Sequence, residues 1–169
     1  MPPGFHEARS MAEVPEEAER HFRRGYEAQM GGRLDEAVQH YRASIAIRPT
    51  AEAHTFLGWA LSYLGRHEDA ITECKVAIAL DPDFGNPYND IGAYLIELGR
   101  EDEAIDWLER AKTARRYEPR HFPYFNLARV YIKRHKIHEA IRELQGAVSI
   151  EPGYTAARRE LHRLLGQLN

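Results

Sequence analysis

One cysteine, Cys74, stands in a chain of 169 residues. A lone thiol cannot close an internal disulfide, and it cannot build a cysteine-based zinc site. No stretch approaches the roughly 18 consecutive apolar residues of a membrane-spanning helix. Met1 to Glu17 hold no apolar run and do not read as a secretory leader. These absences lead to the expectation of a cytoplasmic protein. Glycine-rich phosphate loops and Gly-x-Ser-x-Gly elbows are missing, so no nucleotide cradle or serine nucleophile is expected. His-Glu-x-x-His is also missing. His135 and His138 sit three apart across an expected turn rather than on one helix face, and nothing completes a ligand set. No enzyme, no cofactor and no metal is expected. Lysine is scarce, 4 against 19 arginines, a bias associated with GC-rich bacterial genomes.

Apolar residues make up 43% and charged residues 29%, a composition that supports a folded core rather than disorder. The length suits one compact domain or a short solenoid. The formal charge of −3 hides a gradient. Residues 51–120 carry 14 acids and 8 bases, whereas 121–169 carry 8 bases and 4 acids. A nucleic-acid partner is not expected, because the aromatics do not interleave with the basic stretch and the chain is acidic overall.

The chain repeats itself. Ala37, Ala70, Ala104 and Ala140 are spaced by 33, 34 and 36 residues. Twelve residues before them stand Gly25, Gly58, Gly92 and Ala128. Seven residues after them stand Ser44, Ala77, Ala111 and Ala147. Pro49, Pro82, Pro119 and Pro152 close the units. Within each unit the apolar residues recur with helical period; Phe56, Leu57, Ala60, Leu61 and Leu64 form one stripe, and Ala70, Ile71, Cys74, Ala77 and Ile78 another. Two such stripes face each other across a short turn, and the small residues let the backbones approach. Gly32, Gly65 and Gly99 fall where a helix ends; His135 takes that place in the fourth unit, so that turn is expected to be less favourable.

This pattern resembles the tetratricopeptide repeat family, most closely over Ala51 to Phe84. The resemblance divides the chain into a flexible segment 1–17, units 18–50, 51–84, 85–120 and 121–154, and a capping helix over 155–169. It implies an all-α fold, a right-handed α-α superhelix with a concave face. The eight residues between Ala111 and Pro119, against five between Ala77 and Pro82, suggest that the second helix of the third unit is one turn longer. That turn would carry Arg115 and Arg116 out beside Arg120 and His121. Ala157, Leu161, Leu164, Leu165 and Leu168 are expected on the inward side of the last helix.

In the family the first helix of each unit lines the groove and ligands are usually peptides. Carried onto this chain, the groove residues are Phe22, Tyr26 and Met30, then Thr55, Trp59 and Tyr63, then Asn89 and Ile96, then Phe125, Arg129 and Lys133. The first half of such a groove is aromatic, suited to anchoring a partner. The second half is basic, suited to carboxylates or phosphates. An opposing possibility is that Tyr26, Trp59 and Tyr63 are buried between helices. Another is that the N-terminal segment, with Phe5 and Met11, folds back into the groove. The chaperone-tail form of these repeats uses a carboxylate clamp of Lys, Asn and Arg; the corresponding places here hold Phe22, Tyr26, Phe56, Asn86 and Asp90, and none matches. The expected function is a non-catalytic adaptor or scaffold that takes a peptide or helix of another protein. The rival is a structural module that forms homo-oligomers through its terminal helix or repeats.

Overall fold

The computed structural model describes residues 14–168, and within them the secondary structure is helical apart from one isolated bridge. The helices are α1 Glu16–Met30, α2 Leu34–Ile47, α3 Ala51–Tyr63, α4 His67–Leu80, α5 Asn86–Glu97, α6 Glu101–Thr113, α7 His121–Lys133, α8 Ile137–Ile150 and α9 Thr155–Gln167. Helix α1 starts at Glu16, within the segment 1–17 expected to be flexible, and residues 1–13 of that segment lie outside the described residues. The helices fall into two compact units divided between Pro82 and Asp83.

The first unit holds two hairpins, α1 with α2 and α3 with α4, and α3 also packs on α2. The recurring alanines explain the packing. Ala37 and Ala70 have no exposed surface, nor do Ala28, Ala60 and Ala77. Tyr41 fills the gap beside Gly25 and is fully buried; its hydroxyl donates to Gln29 Oε1 at 2.8 Å. Burial pushes that phenol well above its ordinary pKa. Thr50 caps α3, its hydroxyl accepting from the Ala53 amide at 3.1 Å.

The second unit holds α5 with α6 and α7 with α8, and α9 closes against α8. Ala104, Leu108, Ala111, Leu127, Ala140, Leu144 and Ala147 form its fully buried centre. Pro87 and Pro123 lie in the first turns of α5 and α7, where a missing N–H costs little. On α9, Ala157 and Leu164 are buried, but Leu165 and Leu168 are exposed. The inward stripe is thus narrower than the sequence implied: Leu165 directly follows Leu164, about 100° further round the helix.

The extra residues of the third unit do not lengthen its second helix. Helix α6 ends at Thr113, and the chain then runs extended through Ala114. Residues 83–85 and 116 pair as a short parallel bridge, Gly85 N to Arg116 O at 3.0 Å and Arg116 N to Asp83 O at 2.9 Å. Arg120 turns inward and donates to the carbonyls of Lys112, Ala114 and Arg115. The Arg116 guanidinium lies 4.3 Å from the Phe84 ring. Arg115 and Arg116 are therefore not carried out together beside Arg120, because Arg116 and Arg120 are occupied by the loop itself; Arg115 extends outward, 3.9 Å from Asp83.

Glycine closes three of the interhelix turns with positive φ, at Gly32, Gly65 and Gly99, and His135 takes the same left-handed conformation at φ 56°.

Candidate functional site: an aromatic ladder and an ion-pair ladder

In the first unit the side chains on one side of α1 and α3 form an unbroken series of ring contacts. Phe22 meets Phe56 edge-on with centroids 5.1 Å apart, and Tyr26 meets Phe56 at 6.0 Å. Phe56 meets Trp59 at 5.7 Å, and Trp59 meets Tyr63 at 5.8 Å. The spacing of three to four residues along each helix stacks these side chains on one face. Tyr41 reaches up from α2 to touch Phe22 and Phe56, so the base of the ladder is tied to the core. Access increases along the series. Phe22, Tyr26, Phe56 and Trp59 are half-buried, Tyr63 is 62% exposed, and Met30, one turn past Tyr26, is 51% exposed. The sequence pattern puts Phe56 in the core stripe, yet it is the rung that joins α1 to α3. A period-3.6 pattern does not separate a core position from its neighbour at the groove edge.

Thr55 is not part of this accessible face. It is 4% exposed, and its hydroxyl donates to the Ala51 carbonyl one turn back at 2.7 Å. A hydroxyl so engaged satisfies itself within the helix.

In the second unit the corresponding helices, α5 and α7, are joined by polar side chains. Asn126 donates to Asn89 Oδ1 at 3.0 Å, and both are 8% exposed. Arg129 bridges Asn126 Oδ1 at 3.2 Å and Glu97 Oε1 at 2.7 Å. Lys133 bonds Glu101 Oε1 at 2.6 Å, and Arg134 pairs with Asp102. The hydrogen bond from Lys133 is the main cause that holds the Glu101 carboxyl below its usual range. The basic character expected of Arg129 and Lys133 is thus answered by acids on the preceding repeat of the same unit. Asn89 spends its side chain on Asn126 and on Asp90. Ile96 is 2% exposed; it lies two turns from Asn89, on the side of α5 that meets α7, and belongs to the core. Phe125 packs edge-on against Tyr154 at 5.2 Å, in a cluster with His121 and Phe122.

The Asp90 carboxyl, in the same unit, is shifted the opposite way to that of Glu101. Desolvation pushes its carboxyl up to about 7, opposed only in part by the Asn89 amide. The Tyr117 hydroxyl is raised by burial and then by the nearby Asp90 charge. No cluster of three or more His, Cys, Asp or Glu suited to a metal occurs among the described residues, and no helix among them is long and apolar enough to cross a membrane. Phe5 and Met11 lie outside the described residues.

Tetratricopeptide repeat models match residues 22–84, 57–119 and 123–154. The chain belongs to the tetratricopeptide repeat family. The small glutamine-rich tetratricopeptide repeat-containing protein 2 of Mycosarcoma maydis is 32% identical over 71 residues, which are 41% of this chain and 20% of that protein. The match thus spans one fifth of the relative's length. Among solved structures, pilF of Pseudomonas aeruginosa superposes with a TM-score of 0.83 at 23% identity, covering 90% of this chain and 69% of that one. MamA of Desulfovibrio magneticus RS-1 gives 0.72 at 20% identity, with 92% and 87% covered. YrrB, described as a tetratricopeptide protein with an unusual peptide-binding site, gives 0.68 at 17% identity, with 85% and 73% covered. At such identities the likeness shows the fold alone: the all-α superhelical tetratricopeptide class.

Proposed function

We propose that this chain is a non-catalytic scaffold that holds a peptide or helix of a partner protein, with the aromatic face of α1 and α3 as its principal anchor. The family and its structural relatives support a role in protein–protein interaction. The observation that carries the finer reading is the ladder from Phe22 to Tyr63, whose rings stay partly accessible although they are fixed to the core through Phe56 and Tyr41. Rings held in place offer contact area at little further cost in side-chain entropy, which is what an interface anchor requires. Arg129 and Lys133 contribute less to affinity, because an arriving carboxylate must displace Glu97 or Glu101.

A random-peptide display selection on the immobilised chain tests this reading. Enriched peptides should carry apolar or aromatic residues, and Trp59→Ala should weaken their binding at least tenfold with helix content unchanged by circular dichroism. Enrichment that is indifferent to Trp59 and Tyr63 would overturn it.

A second reading rests on a separate observation. Leu165 and Leu168 are 42% and 51% exposed and lie one turn apart near the end of α9, an apolar surface through which copies associate. Sizing across a hundredfold range of concentration decides it; a constant monomer mass rules it out.

A further inference from the structure

Every hairpin carries a pair of side chains at the same two places, sixteen residues before and three residues after its recurring alanine. In three hairpins the pair is explained by packing or charge. His54 on α3 bonds Glu73 on α4 at 2.6 Å. Tyr88 lies against Trp107, with the Arg110 guanidinium 4.7 Å from each ring. Tyr124 and Glu143 share Lys112, which sits 4.3 Å from the Tyr124 centroid and 2.8 Å from the Glu143 carboxylate. The first hairpin differs. Its two places hold His21 on α1 and His40 on α2, and their Nδ1 atoms face each other at 3.1 Å.

We infer that His21 and His40 form a binding site for a first-row transition-metal dication such as Zn²⁺ or Ni²⁺, which staples α1 to α2. Two nitrogens bound to one tetrahedral ion at about 2.0–2.1 Å stand roughly 3.3 Å apart, so the rings need to part by only a few tenths of an ångström. Imidazole suits these ions, and water fills the remaining positions on the half-buried, accessible side. Glu36 strengthens the arrangement. Its Oε1 lies 3.9 Å from His40 Nε2, and the Arg33 guanidinium holds its other oxygen at 2.7 Å. At 3.9 Å from the ring, the Glu36 carboxylate is a nearby negative charge that favours a cation held between the two rings. Without metal the two Nδ1 atoms share one proton as a hydrogen bond; when the ion takes that place, the proton moves through solvent to the Nε2 atom of the ring that carried it, so both rings stay neutral and both Nδ1 lone pairs face the ion. His54 cannot serve in the same way, because its Nδ1 is engaged by Glu73. The site needs no peptide partner, and it lies one residue from the first rung of the ladder, Phe22.

Tag-free full-length protein is titrated with zinc chloride and with nickel chloride, followed by calorimetry and thermal melting. The expected result is saturable binding of one equivalent and a melting temperature that rises with metal, since an ion bound only by the folded hairpin stabilises it. His21→Ala and His40→Ala should each weaken binding at least tenfold, whereas the His135→Ala/His138→Ala double variant should leave it unchanged. His21→Asn and His40→Asn replace the alanine variants if circular dichroism shows lost helix. Absence of saturable binding, or binding that persists in the His21/His40 double variant, overturns the site.

Discussion

The two compact units are built from the same repeat, yet they join their first helices by opposite chemistry. In the first unit α1 and α3 meet through Phe22, Tyr26 and Phe56, and the series runs on to Trp59 and Tyr63. In the second, α5 and α7 meet through Asn89, Asn126, Arg129 and Glu97. The positions are equivalent by spacing: Phe22 corresponds to Asn89, Tyr26 to Ala93 and Met30 to Glu97. The lesson concerns availability. Aromatic rings that contact one another keep a face for a partner, whereas an arginine that has found its glutamate has spent its charge. A residue list at groove positions does not distinguish the two cases; the neighbouring repeat does.

The largest expected effect probes what holds the second unit's connecting loop. Arg120→Ala leaves the carbonyls of Lys112, Ala114 and Arg115 without their charged donor, and should cost about 2–3 kcal/mol of stability. Each unit contains one tryptophan, Trp59 in the first and Trp107 in the second, so the Trp59→Phe variant reports the second unit alone. Its urea midpoint should fall. An unchanged midpoint would mean that water replaces the guanidinium at no loss.

Binding sharpens the contrast next. Once a display-selected peptide is in hand, Trp59→Ala should lose about 2 kcal/mol of affinity, the scale of an interface anchor. Arg129→Ala should lose at most about 0.5 kcal/mol, because its charge is already paired at a largely exposed site. A reversed order of the two, measured by titration at one salt concentration, would break the comparison.

Asp90 separates the units by pH. It stands where the first hairpins carry Arg23 and Phe56. Its folded pKa of about 7 exceeds the ordinary aspartate value of 3.8, so the folded state binds the proton more tightly than the unfolded chain. Stability contributed by the neutral acid is therefore present in full below about pH 4 and is lost as pH rises to 7. Asp90→Asn removes that loss. The full shift would correspond to about 4 kcal/mol, but Asp90 keeps a partly accessible edge, and about 2 kcal/mol at pH 8 is the expected gain. The gain should vanish near pH 4. Chemical denaturation of the Trp59→Phe background at pH 8, 6 and 4 checks it, and a gain independent of pH would refute the assignment.

The repeat frame was legible because it rests on volume. Ala37, Ala70, Ala104 and Ala140 are each fully buried, and a Cβ added at Gly92 would sit 2.5 Å from Leu108. Such positions admit few residues, so they recur visibly. The aromatic half of the candidate face was legible for a related reason: rings at three- to four-residue spacing on a helix side declare themselves. What sequence did not disclose depends on partners far along the chain. Arg129 meets Glu97 across 32 residues, His21 meets His40 across 19, and Arg120 folds back onto carbonyls that any residue would supply. Ile96 and Thr55 satisfied the groove spacing but are buried, 2% and 4% exposed, because neighbouring helices cover them.

The smallest effect lies at the turns. Both turns inside the hairpins of the first unit place glycine at positive φ, Gly32 and Gly65; in the second unit Gly99 does so, but His135 occupies the fourth turn at φ 56°. An L-residue in this region brings its Cβ close to the following carbonyl, at a cost of about 1 kcal/mol. The His135 amide still donates to the Ile132 carbonyl at 3.0 Å, and Lys136 N donates to Tyr131 O at 2.9 Å, so the turn keeps its hydrogen bonds and only the strain differs. His135→Gly should then stabilise the second unit by about 0.5–1 kcal/mol, less than the full strain because glycine also loosens the unfolded chain. The Trp107 signal should show a higher urea midpoint. A lower midpoint would mean that the imidazole makes a stabilising contact at the turn large enough to outweigh its backbone strain, and the fourth turn would then be as well adapted as the three that use glycine.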